Sequence, residues 1–168
     1  MTRTGNPVWA CVALGSNVGD REAHFLAAIE AIRGLPGTAV QRVSRFHETV
    51  PVGPTGQGMY LNAALSLTTE LGAAELLRAL HTIEASRGRD RPAEVRWGSR
   101  TLDLDLVLYG DLVIAEPGLR VPHPRMHERY FVLEPLAEIE ESRMIPGRGV
   151  TVGQALAELR RDGSPPHA

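Results

Sequence analysis

A regular alternation of side chains runs through residues 61–68, Leu61-Asn62-Ala63-Ala64-Leu65-Ser66-Leu67-Thr68. Successive side chains of a β-strand point to opposite faces, so this period of two predicts a strand. Three other apolar stretches predict further strands, and they are Val8–Leu14, Thr38–Thr49 and Leu102–Tyr109. We expect Thr38–Thr49 and the alternating stretch, which are consecutive in the chain, to pair antiparallel.

Two helical patterns separate these strands. The first helix begins after Asp20, a residue suited to capping, and ends at Gly34. The second spans Ala73–Arg87 and ends at Gly88. Each carries an apolar face, formed by Phe25, Ile29 and Ile32 in the first and by Leu76, Leu80 and Ile83 in the second. The order strand, helix, strand, strand, helix, strand predicts a ferredoxin-like α+β fold, β-α-β-β-α-β, with an antiparallel sheet and C-terminal helical additions.

The remaining segments are predicted to be short or irregular. Glycine and proline predict a turn at Gly15–Gly19 and a mobile loop at Val50–Gly58. After the fourth strand, Leu112–Ile114 is a candidate partner strand and Pro117–Pro124 is expected to be irregular. Phe131–Ile139 is predicted to form a short helical turn that Pro135 limits. A capping box at Thr151–Gln154 predicts a last helix that carries Leu156 and Leu159, followed by a frayed tail at Gly163–Ala168.

Length and composition predict one globular domain over residues 1–168, with a recognisable core over about 8–161. The only cysteine, Cys11, lies in an apolar stretch and is expected to be buried, in a protein of a reducing compartment. A net charge of −2 argues against bulk binding to nucleic acid or to an anionic membrane. No apolar stretch approaches the roughly 18 residues that cross a bilayer. We therefore expect a cytoplasmic protein with neither a nucleic-acid nor a membrane partner.

All 18 basic residues are arginines. Codon usage is the simplest explanation, but the planar guanidinium also binds phosphate oxygens in pairs, which lysine cannot do. The positions of the arginines are therefore informative. Residues 87–100 hold a cluster of them, formed by Arg87, Arg89, Arg91, Arg96 and Arg100.

Two acidic residues follow this cluster, in the stretch Thr101-Leu102-Asp103-Leu104-Asp105-Leu106. In a strand, Asp103 and Asp105 share one face while the leucines face the other way. Two carboxylates at this spacing repel each other, so a cation should lie near them, and Mg²⁺ commonly binds one or two carboxylates together with substrate phosphates. The alternative is an exposed strand edge with two aspartates that bind nothing.

Arginines next to a carboxylate pair suit a polyphosphate, because guanidinium groups and a metal could contact it from opposite sides. Trp97 lies within the same stretch, Gly88–Arg100. Two other interpretations stay open here. The stretch could be a solvated surface loop that pairs with nearby acidic residues, or its arginines and tryptophan could bind RNA.

Polar residues elsewhere are candidates for further contacts. His123 and His127 have a spacing that binds zinc on a helix, but Pro124 interrupts a helix there, and anion contacts by His123 and Arg129 fit better. Asn62 could satisfy the backbone of the preceding loop, or it could bind the edge of a heterocycle. Tyr60 and Phe131 would then stack on that ring.

These motifs together resemble the 6-hydroxymethyl-7,8-dihydropterin pyrophosphokinase family of folate biosynthesis. The matching stretches are colinear and extend from Leu14 to about Ile139. The most specific of them is Arg96-Trp97-Gly98-Ser99-Arg100-Thr101-Leu102-Asp103-Leu104-Asp105. The others are Leu14–Asn17, Glu48–Pro54, Tyr60–Ala64, Ile83-Glu84 with Gly88-Arg89, and Pro122–Arg129. The sequence departs from the usual family pattern at His47, Val50 and Ser99, none of which is an expected ligand.

The resemblance implies a ferredoxin-like fold and the transfer of diphosphate from ATP to the hydroxymethyl group of the pterin, with release of AMP. It implies two Mg²⁺ ions on Asp103 and Asp105, and a catalytic set of Arg89, Arg100, Asp103 and Asp105. For ATP it implies phosphate contacts from Arg89, Arg91, Arg100, His123 and Arg129, with Glu84, Leu106 and Arg120 near the nucleotide. For the pterin it implies hydrogen bonds from Asn62 and from the loop backbone at Thr49 and Val52, stacking by Tyr60 and Phe131, and a contact from Trp97.

Two further interpretations remain beside this one. A non-catalytic RNA-binding module would use the arginine cluster and would not need the aspartates. A small-molecule sensor of the same fold would keep the pocket without turnover. The enzyme is expected to act as a monomer on small molecules.

Overall fold

A five-stranded antiparallel sheet forms the centre of the molecule. The structure is a computed structural model, and it describes residues 3–50, 59–88 and 101–163. The strands are β1 (Arg3–Ser16), β2 (Thr38–Val43), β3 (His47–Thr49), β4 (Tyr60–Leu71) and β5 (Asp103–Tyr109). Their order is β2-β4-β1-β5, and β3 pairs with β4 beyond the end of β2. This is the order of a ferredoxin-like sheet, so the predicted fold class is confirmed.

Two helices cover one face of the sheet, α1 (Arg21–Arg33) and α2 (Ala73–Ser86). The apolar faces predicted for them are buried, with Phe25, Ile32, Leu76 and Leu80 at 0% exposure. As predicted, Asp20 caps α1, because its carboxylate accepts a hydrogen bond from the Ala23 N–H at 3.1 Å, and Gly34 ends the helix. Alternating strand residues, among them Leu14, Leu65 and Leu104, complete this first core.

Two other helices cover part of the opposite face, α3 (Tyr130–Glu140) and α4 (Val152–Arg161). They pack on small strand residues to form a second core, which includes Cys11, Ala13, Ala64, Leu133, Leu136 and Leu156. Cys11 is fully buried, and this burial raises the pKa of its thiol. The predicted capping box of α4 is present, since Thr151 Oγ1 accepts from the Gln154 N–H at 3.1 Å and Gln154 Oε1 accepts from the Thr151 N–H at 2.8 Å.

The prediction of one strand over Thr38–Thr49 was wrong, because the chain bends at residues 44–46 and forms two strands, β2 and β3. At this bend Ser44 contacts the backbone of Ala64 on β4 through both its N–H and its side chain. Its N–H donates to the Ala64 carbonyl and its Oγ accepts from the Ala64 N–H, both at 2.9 Å. The Arg45 N–H donates instead to Glu138 Oε1 on α3, at 2.7 Å. Side-chain partners thus redirect the chain at this bend.

The prediction of a turn at Gly15–Gly19 was wrong in its first half, because Gly15 and Ser16 belong to β1 and pair with β4. The partner strand predicted at Leu112–Ile114 was also wrong. Leu112 and Val113 are exposed, and Ile114 begins β6 (Ile114–Glu116), which pairs with β7 (Leu119–Val121) rather than with β5. Gly118 has φ +78° in the tight turn between them, so part of the stretch predicted to be irregular is a hairpin.

The helix predicted at Phe131–Ile139 is longer than expected and continues through Pro135. Proline costs a helix one hydrogen bond, but this helix is held by burial of Val132, Leu133, Leu136 and Ile139 in the second core. A short hairpin, β8 (Met144–Ile145) with β9 (Val150–Thr151), joins α3 to α4. In the described ranges, no helix is long and apolar enough to cross a membrane. Residues 51–58 of the loop predicted at Val50–Gly58 and residues 164–168 of the tail predicted at Gly163–Ala168 lie outside the described residues.

Candidate functional site

Asp103 and Asp105 lie at the start of β5, where both side chains are half-buried. Leu102, Leu104 and Leu106 point the other way, into the core under α1 and α2. The two carboxylates therefore share one face of the sheet, as the alternation of strand residues requires. They lie on the face that α3 and α4 cover in part.

Glu84 holds the backbone between these two aspartates. This carboxylate, in the last turn of α2, is only 1% exposed, and its Oε2 accepts a hydrogen bond from the Leu104 N–H at 2.8 Å. Since β5 pairs with β1 on its other side, Glu84 supplies the acceptor that a neighbouring strand would otherwise provide. The residue expected near the nucleotide thus also fixes the strand that carries both aspartates.

His123 and Arg129 belong to the electrostatic surroundings of this pair. The His123 N–H donates to the Val107 carbonyl at 2.8 Å, which ties the segment before α3 to β5. Burial lowers the pKa of His123 to about 4; the positive charges of Arg129 and Arg125 act in the same direction, and Asp103 opposes them. Burial also lowers the pKa of the Arg129 guanidinium, against the attraction of Asp105 and Asp103.

His123 is therefore neutral near pH 7. Its Nδ1 accepts from the Arg125 N–H at 3.2 Å, so the ring proton lies on Nε2, which can donate a hydrogen bond. His127 contacts Glu128 in a short 3-10 turn (Met126–Glu128) rather than facing His123 across a helix. Within residues 3–50, 59–88 and 101–163, no group of three or more His, Cys, Asp or Glu side chains could hold a metal.

Asn62 provides the second polar region of this face. Its side chain is buried, and its Nδ2 donates to Thr49 Oγ1 at 2.6 Å. Thr49 pairs with Tyr60 across the short β3–β4 ladder. Three of the residues expected to contact a pterin are therefore adjacent. This hydrogen bond is a local polar contact. It is compatible with an Asn62 that satisfies the preceding loop and with an Asn62 that binds the edge of a heterocycle.

Gly15 connects the two regions, because it pairs with Asn62 of β4 on one side and with Asp103 of β5 on the other. A Cβ atom at this position would lie 3.6 Å from Asn62 Oδ1 and 3.8 Å from Asp103 Cβ. Neighbouring strands are about 4.8 Å apart, so the backbones at Asn62 and Asp103 are separated by roughly 10 Å with only a glycine between them. This role is not visible in the sequence, because Gly15 begins a run of turn-forming residues.

The other residues expected in the site differ in burial and in the element that carries them. The Leu106 side chain is buried in the first core, so only its backbone can reach a ligand on the site face. Arg120 is exposed on β7. Phe131 is half-buried at the start of α3, and the Arg129 guanidinium lies 5.4 Å from its ring centre. Val52, Arg89, Arg91, Trp97 and Arg100 lie outside the described residues.

The arrangement joins groups of different chemistry along one face. At one side are two carboxylates with a half-buried arginine and a neutral histidine, which together suit a metal-bound polyphosphate. At the other side are an amide, a hydroxyl and the Tyr60 ring, which suit a flat heterocycle.

A family model and several curated proteins that match this chain carry the name of the same enzyme. Residues 11–141 match the model of the family described as 7,8-dihydro-6-hydroxymethylpterin-pyrophosphokinase (HPPK). The chain is 48% identical over 130 residues to a Bacillus subtilis 2-amino-4-hydroxy-6-hydroxymethyldihydropteridine pyrophosphokinase, covering 77% of each chain. It is 42% identical over 154 residues to the Methylorubrum extorquens protein of the same name, covering 92% of this chain and 95% of that one.

Solved structures show the same fold. The HPPK-DHPS protein of Plasmodium falciparum, wild type with pterin and p-hydroxybenzoate, has a TM-score of 0.72 at 12% identity. The match covers 97% of this chain and 46% of the Plasmodium chain, so this chain spans less than half of that protein. A second structure of that protein, the A437G form with STZ-DHP, also has a TM-score of 0.72, and the match covers 91% of this chain and 45% of that one.

Proposed function

This chain belongs to the 7,8-dihydro-6-hydroxymethylpterin-pyrophosphokinase family, and from that premise we propose that its active site is the sheet face around Gly15. The enzyme transfers diphosphate from ATP to the hydroxymethyl group of 6-hydroxymethyl-7,8-dihydropterin, a step of folate biosynthesis. A bond forms between the hydroxymethyl oxygen and the β-phosphorus, the bond between the β-phosphorus and the oxygen of the α-phosphate breaks, and AMP leaves. The hydroxyl proton is lost in the same conversion.

One observation carries the assignment of the site. Asn62 and Asp103 flank Gly15 on the same face of the sheet, in the paired row Asn62–Gly15–Asp103. A pterin bound at Asn62 would direct its substituent across Gly15 toward the carboxylates. Positioning of two reactants and neutralisation of phosphate charge are what this type of reaction requires, more than covalent catalysis.

Asp103 and Asp105 would hold two Mg²⁺ ions. The two oxygen donors on one face fit this cation, which usually takes its remaining ligands from substrate phosphates and water. When bound, the ions would neutralise phosphate charge and orient the reacting oxygens. The described residues contribute the fixed spacing of the carboxylates, which Glu84 supports through Leu104.

Arg129 and His123 would contact the phosphates of ATP. The half-buried Arg129 guanidinium offers several N–H donors, and the neutral His123 offers the Nε2 proton as a donor. Arg89, Arg91 and Arg100 would add guanidinium contacts, with Arg89 and Arg100 in the catalytic set. The nucleotide would lie near Glu84, the backbone of Leu106 and Arg120.

The pterin would bind at the end of the β3–β4 ladder. The Asn62 amide would bind the ring edge beside Thr49, with Tyr60 and Phe131 stacking on the ring faces. Val52 and Trp97 would complete the pocket. We also propose that residues 1–168 form a single domain that acts as a monomer in the cytoplasm, without a nucleic-acid or membrane partner.

A direct assay tests this function. The purified chain is incubated with ATP, MgCl₂ and 6-hydroxymethyl-7,8-dihydropterin, and AMP and the pterin diphosphate are measured. We expect equal amounts of both products, and none without the pterin or with excess EDTA. ADP instead of AMP, or turnover that continues in EDTA, would contradict the proposal.

A further inference from the structure

Arg21 joins the two ends of the β3–β4 connection. It is the first residue of α1, and its Nη1 donates to the Met59 carbonyl at 2.8 Å while its Nη2 contacts Glu48 Oε1 at 2.5 Å. Glu48 lies in β3, and Met59 immediately precedes β4. One guanidinium therefore links the strand that enters this connection to the strand that leaves it.

The ladder that Arg21 holds is short. β3 has three residues and pairs with β4 through His47–Asn62, Glu48–Leu61 and Thr49–Tyr60. So small a ladder gains little stability from its own hydrogen bonds. At its beginning Glu138 of α3 accepts from His47 Nε2 at 2.8 Å. Near its end the corresponding external contact comes from Arg21.

The geometry requires an arginine rather than any cation. Separate nitrogens of one planar group donate to a carbonyl and to a carboxylate, which the point charge of lysine matches poorly. The Arg21 and Glu48 side chains are 28% and 55% exposed, and ion pairs this accessible to water add little to global stability. Losing the contact should therefore disturb the ladder locally rather than unfold the protein.

We propose that Arg21 is a positioning residue for the pterin pocket: by joining Glu48 to Met59, it fixes the neighbouring Thr49 and Tyr60 relative to Asn62. It touches the strands and neither substrate. This inference rests on the proposed placement of the pterin at Asn62, Thr49 and Tyr60.

Three variants test it against a matched control on the same helix. Arg21→Gln removes the fork, Arg21→Lys keeps the charge, and Glu48→Gln keeps the Met59 contact. The control is Arg33→Gln, which removes an exposed contact with Glu30 at the other end of α1. For Arg21→Gln we expect KM for the pterin to rise about five- to tenfold, since the pocket must be ordered on binding, while KM for ATP changes less than about twofold.

The conservative variants sharpen the result. The pterin KM of Arg21→Lys should lie between those of the wild type and Arg21→Gln. Glu48→Gln should raise the pterin KM less than Arg21→Gln does. Because both residues act through one contact, the double variant Arg21→Gln/Glu48→Gln should be no worse than Arg21→Gln alone. Thermal unfolding should change little, so that the selective rise in pterin KM is not a result of general destabilisation.

Opposite results would overturn the inference. The positioning role would be excluded if the pterin KM stayed unchanged in Arg21→Gln. It would also be excluded if the KM for ATP rose as much in that variant, or if the control Arg33→Gln raised the pterin KM equally. The positioning role would also be excluded if Arg21→Lys and Arg21→Gln raised the pterin KM equally and thermal unfolding showed that both proteins were destabilised. A wild-type chain that forms no AMP would instead refute the proposed function, so the two failures are distinguishable.

Discussion

Two ends of the same sheet face have opposite character, although they are built on the same three strands. At one end the paired row Ser66–Cys11–Leu108 is buried beneath α3 and α4. Four residues further along β1, the row Asn62–Gly15–Asp103 carries an amide and a carboxylate on the same face. The intermediate row, Ala64–Ala13–Asp105, is apolar on two strands and acidic on the third. One backbone frame thus changes from core to candidate site within a few residues.

The two ends differ in the side chains that the strands carry and not in the way the strands pair. Residues of the middle strand are small in both, with Cys11 and Ala13 under the helices and Gly15 at the polar end. Under α3 and α4 the small side chains let large residues such as Leu133 and Leu136 approach the sheet. At the polar end the small residue separates the Asn62 amide from the Asp103 carboxylate. Four predictions probe this contrast separately.

Loss of either aspartate should have the largest effect and should be confined to the polar end. We expect Asp103→Asn or Asp105→Asn to lower kcat at least about 1,000-fold, or about 4 kcal/mol of barrier, because a neutral amide replaces a proposed metal-binding carboxylate. The thermal unfolding midpoint should stay within a few degrees. Steady-state kinetics at several Mg²⁺ concentrations measure kcat, and calorimetry measures the unfolding midpoint. A near-normal kcat at saturating Mg²⁺ would contradict the two-metal assignment.

The opposite pattern is expected from a substitution in the second core. Leu136 of α3 is fully buried, so Leu136→Ala should lower the free energy of unfolding by about 2–5 kcal/mol through lost burial and a cavity. At a temperature where the variant is folded, both KM values should match those of the wild type. Urea denaturation and kinetics test this, and a large KM change in the folded variant would show that the two ends are coupled.

Much of this contrast is visible in the sequence, but its boundary is not. The periodicity of 61–68 and the alternation at Asp103 and Asp105 predict strands, and the apolar faces of α1 and α2 predict the first core. The break at Ser44 depends on Ala64 and Glu138, which are distant in sequence, so local propensity could not reveal it.

The structural roles of Gly15, Glu84 and Arg21 could not be predicted for similar reasons, although Glu84 was expected near the nucleotide. Gly15 resembles a turn residue because it precedes Ser16, Asn17 and Gly19, and only the pairing with β4 and β5 assigns it to a strand. Glu84 and Arg21 act on backbone groups, which leave no trace in the sequence of their partners. By contrast, a motif of charged residues close together, such as Asp103 and Asp105, is readable because its members share one strand.

A smaller effect is expected at Asn62, on the side of the polar end away from the aspartates. Asn62→Ala should weaken pterin binding more than about tenfold, since a polar ring edge loses its partner, while ATP binding stays close to normal. Asn62→Ala also leaves Thr49 without its 2.6 Å contact, so Thr49→Val serves as the control for that loss. If Thr49→Val weakens binding as much as Asn62→Ala, the loss in Asn62→Ala is not evidence for a direct contact between the Asn62 amide and the pterin.

The smallest effect is expected where the two regions meet. In Gly15→Ala the added methyl would lie 3.6 Å from Asn62 Oδ1 and 3.8 Å from Asp103 Cβ, which are ordinary van der Waals distances. The fold should therefore be unaffected, and alanine should even suit a strand slightly better than glycine. Yet the methyl would stand between the bound pterin and the carboxylates, so kcat should fall about two- to fivefold, or less than about 1 kcal/mol, with little change in either KM. Gly15→Val, with a branched side chain in the same gap, should lower kcat further. Equal kcat for glycine, alanine and valine at this position would mean that transfer does not occur above Gly15, and that the polar end holds two separate sites.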